Sequence, residues 1–229
     1  MSLVKKELIT IKAGMVELEG ALELPGHAVG IVLFAHGSGS SRFSQRNNYV
    51  AAALHGAQIG SLLLDLLTTR EDEEYQARFD VDLLTRRLDA ASHWLRFSEA
   101  TQALPLGLFG ASTGAAAALQ LAAMDGNEIA AVVSRGGRPD LAGHLALAKV
   151  KAPTLLIVGG DDDTVLALNR DAYALLQCEK RLEVVSGATH LFEEPGKLQI
   201  VSSLATDWFF RHFQAWQNER SRDGSRDRL

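Results

Sequence analysis

The sequence contains a single cysteine, Cys178, among its 229 residues, so no disulfide can form within the chain. It also contains no uninterrupted apolar run of roughly 18 residues, the length that a membrane-spanning helix needs. The first ten residues mix Lys5, Lys6 and Glu7 with scattered apolar residues, which is not the pattern of a secretory signal. We therefore expect a cytoplasmic protein with no membrane partner.

Basic residues are fewer than acidic ones. The sequence has 23 Lys and Arg and 28 Asp and Glu, which gives a net charge of −5. Surfaces that bind nucleic acid normally carry a basic excess, so we expect no nucleic-acid partner. The glycine-rich stretch after His36 does not match a nucleotide-binding loop. Arg42 stands where the dinucleotide pattern needs its third glycine, and the Gly-Lys-Ser/Thr of a phosphate-binding loop is absent. We expect no cofactor.

What is present is the composition of an ordinary globular protein, with 47% apolar and 22% charged residues. A length of 229 residues suits one α/β domain with a full core. We place that domain at residues 1–216. Residues 217–229 carry four arginines and interleaved acids without an apolar period, so we expect a disordered charged tail there.

Short apolar runs alternate with amphipathic segments from residue 29 onward, which predicts a mostly parallel sheet with helices on both faces. Residues 15–24 alternate in polarity after the turn at Ala13-Gly14, which predicts an antiparallel hairpin at one edge of the sheet. The acidic stretch 68–79 is predicted to be a solvated loop. Strands are predicted at 6–11, 15–24, 30–35, 59–67, 106–109, 129–133, 153–158 and 182–185, and helices at 46–58, 81–97, 115–124, 166–177 and 193–216.

The segment 110–114 has the pattern Gly-x-Ser-x-Gly, centred on Ser112. An apolar run precedes it and an Ala-rich helical segment follows it. A strand that passes into a helix within a few residues needs small neighbours at the turn, and it exposes a serine hydroxyl at the end of the strand. This context favours a catalytic serine over a chance match.

Two further groups follow predicted strands: the three aspartates Asp161, Asp162 and Asp163, and His190. Because ligands bind at the carboxyl ends of parallel strands, these groups are expected near Ser112. The aspartates lack the alternating oxygen ligands and distal glutamate of a calcium loop, so we expect one orienting carboxylate and no metal. The order Ser, Asp, His is that of α/β-hydrolases.

The chain resembles the dienelactone hydrolase-like family of α/β-hydrolases over residues 29–213. The likeness lies in stretches 36–39, 110–114, 159–165 and 187–192. It implies an α/β-hydrolase fold, and the acid-loop pattern Gly-x-x-Asp-x-x-Val, started at Gly159, selects Asp162. Dienelactone hydrolases proper use a cysteine nucleophile where this chain has Ser112, which leaves the substrate open.

We therefore predict a serine hydrolase that cleaves an ester or lactone of a small molecule. His190 would take the proton of Ser112, and Asp162 would orient the imidazole. The backbone N–H groups of Ser38 and Thr113 would bind the oxyanion. About twenty residues separate strands 129–133 and 153–158, which leaves no room for a large cap domain.

Three arginines near predicted strand ends, Arg42, Arg135 and Arg138, are candidates to hold an anionic acyl or leaving group. The alternative is that they are surface arginines in solvated loops. Three other functions stay open: a thioesterase or acyltransferase, a metal-dependent hydrolase using the three aspartates, and a non-catalytic binding protein of the same fold. The sequence does not define the natural substrate or the oligomeric state.

Overall fold

A computed structural model describes residues 4–125 and 128–226 of the chain. The described residues form one eight-stranded sheet, as expected from the alternating pattern. The strands are Val4–Ala13 (β1), Val16–Pro25 (β2), Gly30–Ala35 (β3), Ile59–Leu64 (β4), Leu106–Ala111 (β5), Ile129–Arg135 (β6), Thr154–Gly159 (β7) and Lys180–Val185 (β8). They lie side by side in the order β1-β2-β4-β3-β5-β6-β7-β8.

The sheet is parallel from β4 through β8, and the predicted N-terminal hairpin is confirmed. β1 and β2 pair antiparallel with Ala13 opposite Val16, and Gly14 turns the chain with a φ of +70°. β2 then pairs antiparallel with β4. The five parallel strands β3–β7 are fully buried, so their continuous apolar runs are those of a sheet covered on both faces.

Helices cover both faces of the sheet. They are Gln45–Gly56 (α1), Thr69–Glu73 (α2), Val81–Phe97 (α3), Thr113–Asp125 (α4), His144–Lys149 (α5), Asp163–Leu175 (α6) and Lys197–Arg226 (α7). α1 and α7 pack on one face, and α3 and α4 pack on the other. No helix in the described ranges is long and apolar enough to cross a bilayer.

The stretch 68–79 differs from the expected loop, because it contains α2 and a short 3-10 helix at Ala77–Phe79. Thr68 caps α2 by accepting from the amide of Glu71, while the Glu71 carboxylate accepts from the amide of Thr68. This capping box satisfies N–H groups that a loop would leave to water. Between β6 and β7 the chain forms only a 3-10 helix at Pro139–Ala142 and α5, so the predicted absence of a large cap holds.

The C-terminal segment also differs from the prediction, because α7 continues past residue 216 to Arg226. Within this extension the Gln217 side chain donates to the carbonyl of Val29 at 3.0 Å, which joins α7 to the residue that precedes β3. The Arg220 guanidinium lies 4.5 Å from the ring centre of Trp216. These local contacts hold the extension of α7 in place, although its sequence has no apolar period. Residues 227–229 of the predicted tail lie outside the described ranges.

The two edge strands of the sheet carry charges of both signs. β1 presents Lys5, Lys6 and Glu7 to solvent, and Lys6 pairs with Glu23 of β2 at 2.9 Å. On the opposite edge, Arg181 of β8 forms an ion pair within its own strand. Neither edge is a continuous apolar strand, in contrast to the buried strands between them.

Candidate active site

Ser112 lies at the sharp turn between β5 and α4, at the carboxyl edge of the sheet. Its φ is +52°, a left-handed conformation that non-glycine residues rarely adopt. Hydrogen bonds from the neighbouring loop hold it there: the Ser112 amide donates to the carbonyl of Arg135 at 3.3 Å, and the Arg138 amide donates to the carbonyl of Ser112 at 3.0 Å. The strain is therefore built into the surrounding backbone, as in a nucleophile elbow.

The two flanking glycines are needed because backbone atoms occupy the space beside them. A Cβ on Gly110 would overlap the backbone of Ala115, and one on Gly114 would overlap the carbonyl oxygen of Ala35. Gly37 in the loop after β3 is also close, since a Cβ there would lie 3.0 Å from the Cβ of Ser112. The small residues predicted around the serine thus allow three backbone segments to converge on it.

His190 and Asp162 lie together at the ends of the last two strands. His190 Nδ1 is 2.7 Å from Asp162 Oδ2, and the carboxylate is the more shielded partner, with 15% of its side chain exposed against 38% for the imidazole. Asp162 precedes the first residue of α6, but its side chain does not cap the helix. Its carboxylate is directed to His190 instead, which fixes a proton on Nδ1 and leaves Nε2 as the acceptor.

The loop between β8 and α7 that holds His190 is braced by Glu194. This carboxylate accepts from the amide of Thr189 at 3.0 Å and from its hydroxyl at 2.5 Å. The hydrogen bonds from Thr189 lower the pKa of Glu194. Next to the loop, a Cβ on Gly136 would lie 3.5 Å from both Cε1 and Nδ1 of His190. The imidazole therefore packs against the same β6 loop that holds Ser112.

The structure thus brings Ser112, Asp162 and His190 to one edge of the sheet, in the predicted order. Among the described residues the Ser112 hydroxyl makes no hydrogen bond, and the hydrogen bond of the His190 imidazole is the one to Asp162. In the described ranges no group of three or more His, Cys, Asp or Glu side chains is arranged to hold a metal ion.

The predicted oxyanion donors Ser38 and Thr113 are neighbours in the structure, in an arrangement that sequence reasoning missed. Thr113 is the first residue of α4, where the N–H groups have no partner within the helix. The Ser38 amide donates to Thr113 Oγ1 at 3.0 Å. A substrate oxygen at this point would share the Ser38 N–H with the threonine hydroxyl, so Thr113 Oγ1 sets the direction in which that N–H points.

His36 orders the start of the same loop. Its Nε2 accepts from the amide of Leu66 at 3.0 Å, and its Nδ1 donates to the carbonyl of Gly37 at 2.9 Å. Burial is the largest influence on this imidazole, and it lowers the pKa of His36 below the usual 6.5. His36 is therefore a neutral structural residue that joins the loop after β3 to the loop after β4.

Two of the three predicted anion-binding arginines are neutralised within the fold. Arg42 forms ion pairs with Asp65 and with Glu19, and its side chain is only 14% exposed. Arg138 donates to Asp140 from Nε at 2.9 Å and from Nη2 at 2.7 Å, which raises the pKa of Arg138. Asp65 lies 23 residues from Arg42 along the chain, so the sequence pattern did not reveal that pair, whereas Asp140 lies only two residues after Arg138.

Arg135 is the exception among the three. It is 6% exposed, and its Nε and Nη1 are shielded from solvent without a hydrogen-bond partner among the described residues. Burial, with a further contribution from the charge of Arg46, lowers the pKa of Arg135 to about 10. Arg46 itself was not predicted as a site residue, because its position in the first turn of α1 gives no motif. The feature that could have pointed to Arg46 is that the first turn of α1 contains no acidic residue.

A cavity of about 480 Å³ lies between the first half of α1 and the segment that follows His190. Its lining includes Arg46, Tyr49, Phe192, Glu193, Pro195 and Leu198. Phe192 has a φ of +58° and is buried, so the chain bends sharply into this wall two residues after the histidine. The cavity has the size of a small-molecule site, and its wall begins two residues after His190.

Comparison with known proteins adds a family match to this geometry. A protein-family model described as the dienelactone hydrolase family matches residues 57–217. Two Mycobacterium tuberculosis proteins, each provisionally named a phosphoribosyl transferase, are 53% identical over 208 residues. That match covers 91% of this chain and 47% of each relative, so the chain spans about half the length of the curated relatives it matches.

Solved structures show the same fold. A crystal structure of dienelactone hydrolase from Anabaena variabilis superposes with a TM-score of 0.88 at 52% identity, covering 91% of this chain and 98% of that one. Est1E from Butyrivibrio proteoclasticus superposes with a TM-score of 0.78 at 13% identity, covering 90% of this chain and 99% of that one. The second likeness supports the fold alone.

Proposed function

Because the chain belongs to the dienelactone hydrolase family, we propose that it cleaves carboxylic esters or lactones of small molecules with Ser112 as nucleophile. The observation that supports this proposal most directly is the 2.7 Å pair of His190 Nδ1 and Asp162 Oδ2 beside the strained Ser112 turn. An imidazole oriented by a carboxylate, at the same edge of the sheet as a serine on a strained turn, is the arrangement that acyl transfer requires.

In the proposed reaction, Ser112 Oγ attacks the substrate carbonyl while His190 Nε2 takes the serine proton. The tetrahedral oxyanion accepts from the backbone N–H groups of Thr113 and Ser38. When it collapses, the bond to the leaving alcohol breaks and His190 returns the proton to the alkoxide. Water then attacks the acyl-serine with His190 as base again, which releases the acid and restores Ser112. Asp162 keeps the imidazole oriented and stabilises the imidazolium.

We propose no phosphoribosyl transfer for this chain. The relatives with that name extend well beyond it, since the matched stretch is under half of their length. The proposal also leaves acyl transfer to an alcohol, and attack on thioesters, as alternatives that share the same acyl-enzyme. Adding a small alcohol to the assay separates them, because hydrolysis yields the free acid and transfer yields a new ester.

The experiment that tests the proposal is labelling with a fluorophosphonate, followed by mass mapping of the modified peptide. We expect modification at Ser112 in the native protein and none in Ser112→Ala, which should also lose at least roughly a thousandfold in kcat on p-nitrophenyl butyrate. Ser186→Ala, an exposed serine at the end of β8, is the matched control and should keep labelling and turnover. A folded native protein without labelled Ser112 would favour the non-catalytic binding function.

A further inference from the structure

The loop between β8 and α7 is fixed most firmly at Thr189, the residue just before His190. The N–H and the hydroxyl of Thr189 both donate to Glu194 Oε1, at 3.0 and 2.5 Å. The Thr189 carbonyl belongs to the peptide bond that leads into His190, and it accepts from the amide of Phe192 at 3.3 Å. The N–H, O–H and C=O groups of Thr189 are therefore all engaged by residues that follow the histidine.

Glu194 is itself held by the start of α7. Its carbonyl accepts from the amide of Lys197, the first residue of that helix, at 3.0 Å. Because Pro195 follows it, the backbone of Glu194 is restricted to extended conformations. α7 in turn packs in the core through buried side chains such as Val201 and Phe209. A continuous set of contacts thus runs from the core through α7 and Glu194 to the backbone beside the histidine.

The hydrogen bonding of the Glu194 carboxylate is uneven. A carboxylate has about four positions at which it can accept a hydrogen bond. Here one oxygen, Oε1, takes two bonds from the same residue, Thr189. The other oxygen, Oε2, is shielded and has no partner within residues 4–125 and 128–226. A shielded acceptor without a donor costs free energy, which offsets part of what the bonds to Oε1 contribute. The carboxylate is therefore dedicated to Thr189.

The bond from Asp162 to Nδ1, at 2.7 Å, orients the imidazole ring of His190, but the backbone determines where that ring lies. Resting on the proposed function, we propose that Glu194 is a positioning residue. Through Thr189 it holds His190 where Nε2 can take the proton of Ser112. Because a misplacement of about 1 Å can cost roughly a hundredfold in rate, loss of this support should lower turnover without weakening substrate binding.

The test compares loss of the carboxylate at Glu194 with the same loss elsewhere. Glu194→Ala should lower kcat on p-nitrophenyl butyrate at least about tenfold, while KM stays within about twofold of the native value. Glu194→Gln keeps a side-chain oxygen that can accept from Thr189 and should restore most of kcat. Glu179→Ala is the matched control, because it removes an exposed carboxylate that pairs with Arg211 just before β8, and it should keep the native kcat.

Two further measurements separate positioning from a loss of folded protein. The rate constant for fluorophosphonate labelling of Ser112 should fall in Glu194→Ala by the same factor as kcat, because both reactions need His190 to take the serine proton. Thr189→Val removes the hydroxyl but keeps the amide, so it should cause a smaller loss of kcat. Combined with Glu194→Ala, it should add no further loss, because the shared hydrogen bond is already gone.

Proton NMR reports the placement of His190 without any turnover. The Nδ1 proton between His190 and Asp162 should give a low-field signal in the native protein, in Ser112→Ala and in Glu179→Ala. This signal should be weakened or lost in Glu194→Ala. If Ser112 is not labelled but the signal depends on Glu194, the proposed function fails while the positioning role holds.

Other outcomes overturn the positioning role alone. One is a Glu194→Ala enzyme that keeps the native kcat and the native labelling rate at Ser112, which leaves the proposed function intact. Another is a Glu194→Gln enzyme as slow as Glu194→Ala, or an equal loss in Glu179→Ala, because the effect would then not come from the hydrogen bonds to Thr189. If Glu194→Ala does not fold, Thr189→Val provides the test, and a native kcat in that variant overturns the proposal.

Discussion

The loop after β3 and the arginines Arg135 and Arg46 lie at the same edge of the sheet, yet they differ in how far their polar groups are paired. In the loop, His36, Ser38 and Arg42 each have partners, and those partners come from the neighbouring strand ends. Arg46 is ion-paired with Glu193 and, like Arg42, has a shielded Nε without a described partner. Arg135 differs from both, because its Nε and its Nη1 are shielded without a described partner. Partnered groups at this edge hold the backbone in place, whereas Arg135 keeps N–H donors that no described group satisfies.

The strongest test of this comparison is the matched pair Arg42→Met and Arg135→Met. Arg42→Met removes the guanidinium from a mostly buried Asp65, so we expect a loss of about 2 kcal/mol, or a midpoint about 6 °C lower. Arg135→Met removes an uncompensated buried charge, so its midpoint should equal or exceed that of the native protein. Both midpoints come from thermal unfolding at neutral pH, and equal losses in the two variants would erase the distinction.

A smaller effect is expected from changing Thr113. This change tests whether the threonine hydroxyl orients the Ser38 N–H in the loop after β3. Thr113→Val removes the oxygen that orients the Ser38 N–H but keeps the shape of the side chain. We expect kcat on p-nitrophenyl butyrate to fall about tenfold with little change in KM, because the N–H acts on the transition state.

Thr113→Ser keeps the hydroxyl and should retain most of the native kcat. A Thr113→Val enzyme as fast as the native one would show instead that the Ser38 N–H needs no support from the threonine. In that case the hydrogen bond would be a feature of the unliganded loop alone.

The mildest effect concerns pH. Burial lowers the pKa of His36 below 6.5, so the unfolded chain binds this proton more readily than the folded one. The contribution of neutral His36 to stability is complete above about pH 6.5 and is lost as the pH falls below it. Unfolding midpoints measured from about pH 7.5 to about pH 5.5 should therefore decline.

His36→Asn should flatten this decline, although it lowers the midpoint at every pH because the Leu66 amide loses its acceptor. Some slope should remain, since burial also lowers the pKa of His55 and His212. An unchanged slope in His36→Asn would show that His36 does not contribute to the pH dependence of stability.

The fold was predictable because its signals are local. Apolar runs marked the buried strands, and the turn at Gly14 marked the hairpin. The elbow around Ser112 was predictable for a similar reason, since strand, small residues and helix follow one another within a few positions. The capping box of Thr68 and Glu71 is an equally local signal. We predicted a loop there instead, because the stretch is acidic.

Whether each arginine forms an ion pair was not predictable, because pairing depends on which groups the fold brings near the guanidinium. Arg42 meets Asp65 from a strand end 23 residues later, and Arg46 meets the surroundings of Arg135 only through the packing of α1. Both contacts depend on the sheet order, in which β4 and β3 exchange places relative to the chain. A loop rich in arginine therefore has the same sequence pattern whether or not its charges are neutralised.

The charged edges of the sheet bear on how the protein behaves at high concentration. A strand from another molecule that paired with β1 would have to desolvate Lys5, Lys6 and Glu7, and one that paired with β8 would meet the charges of Lys180 and Arg181. Charged side chains on an edge strand disfavour pairing with a strand of another molecule. The eight strands thus protect one another from extension into larger aggregates, because the apolar strands lie inside and the charged ones lie at the rims.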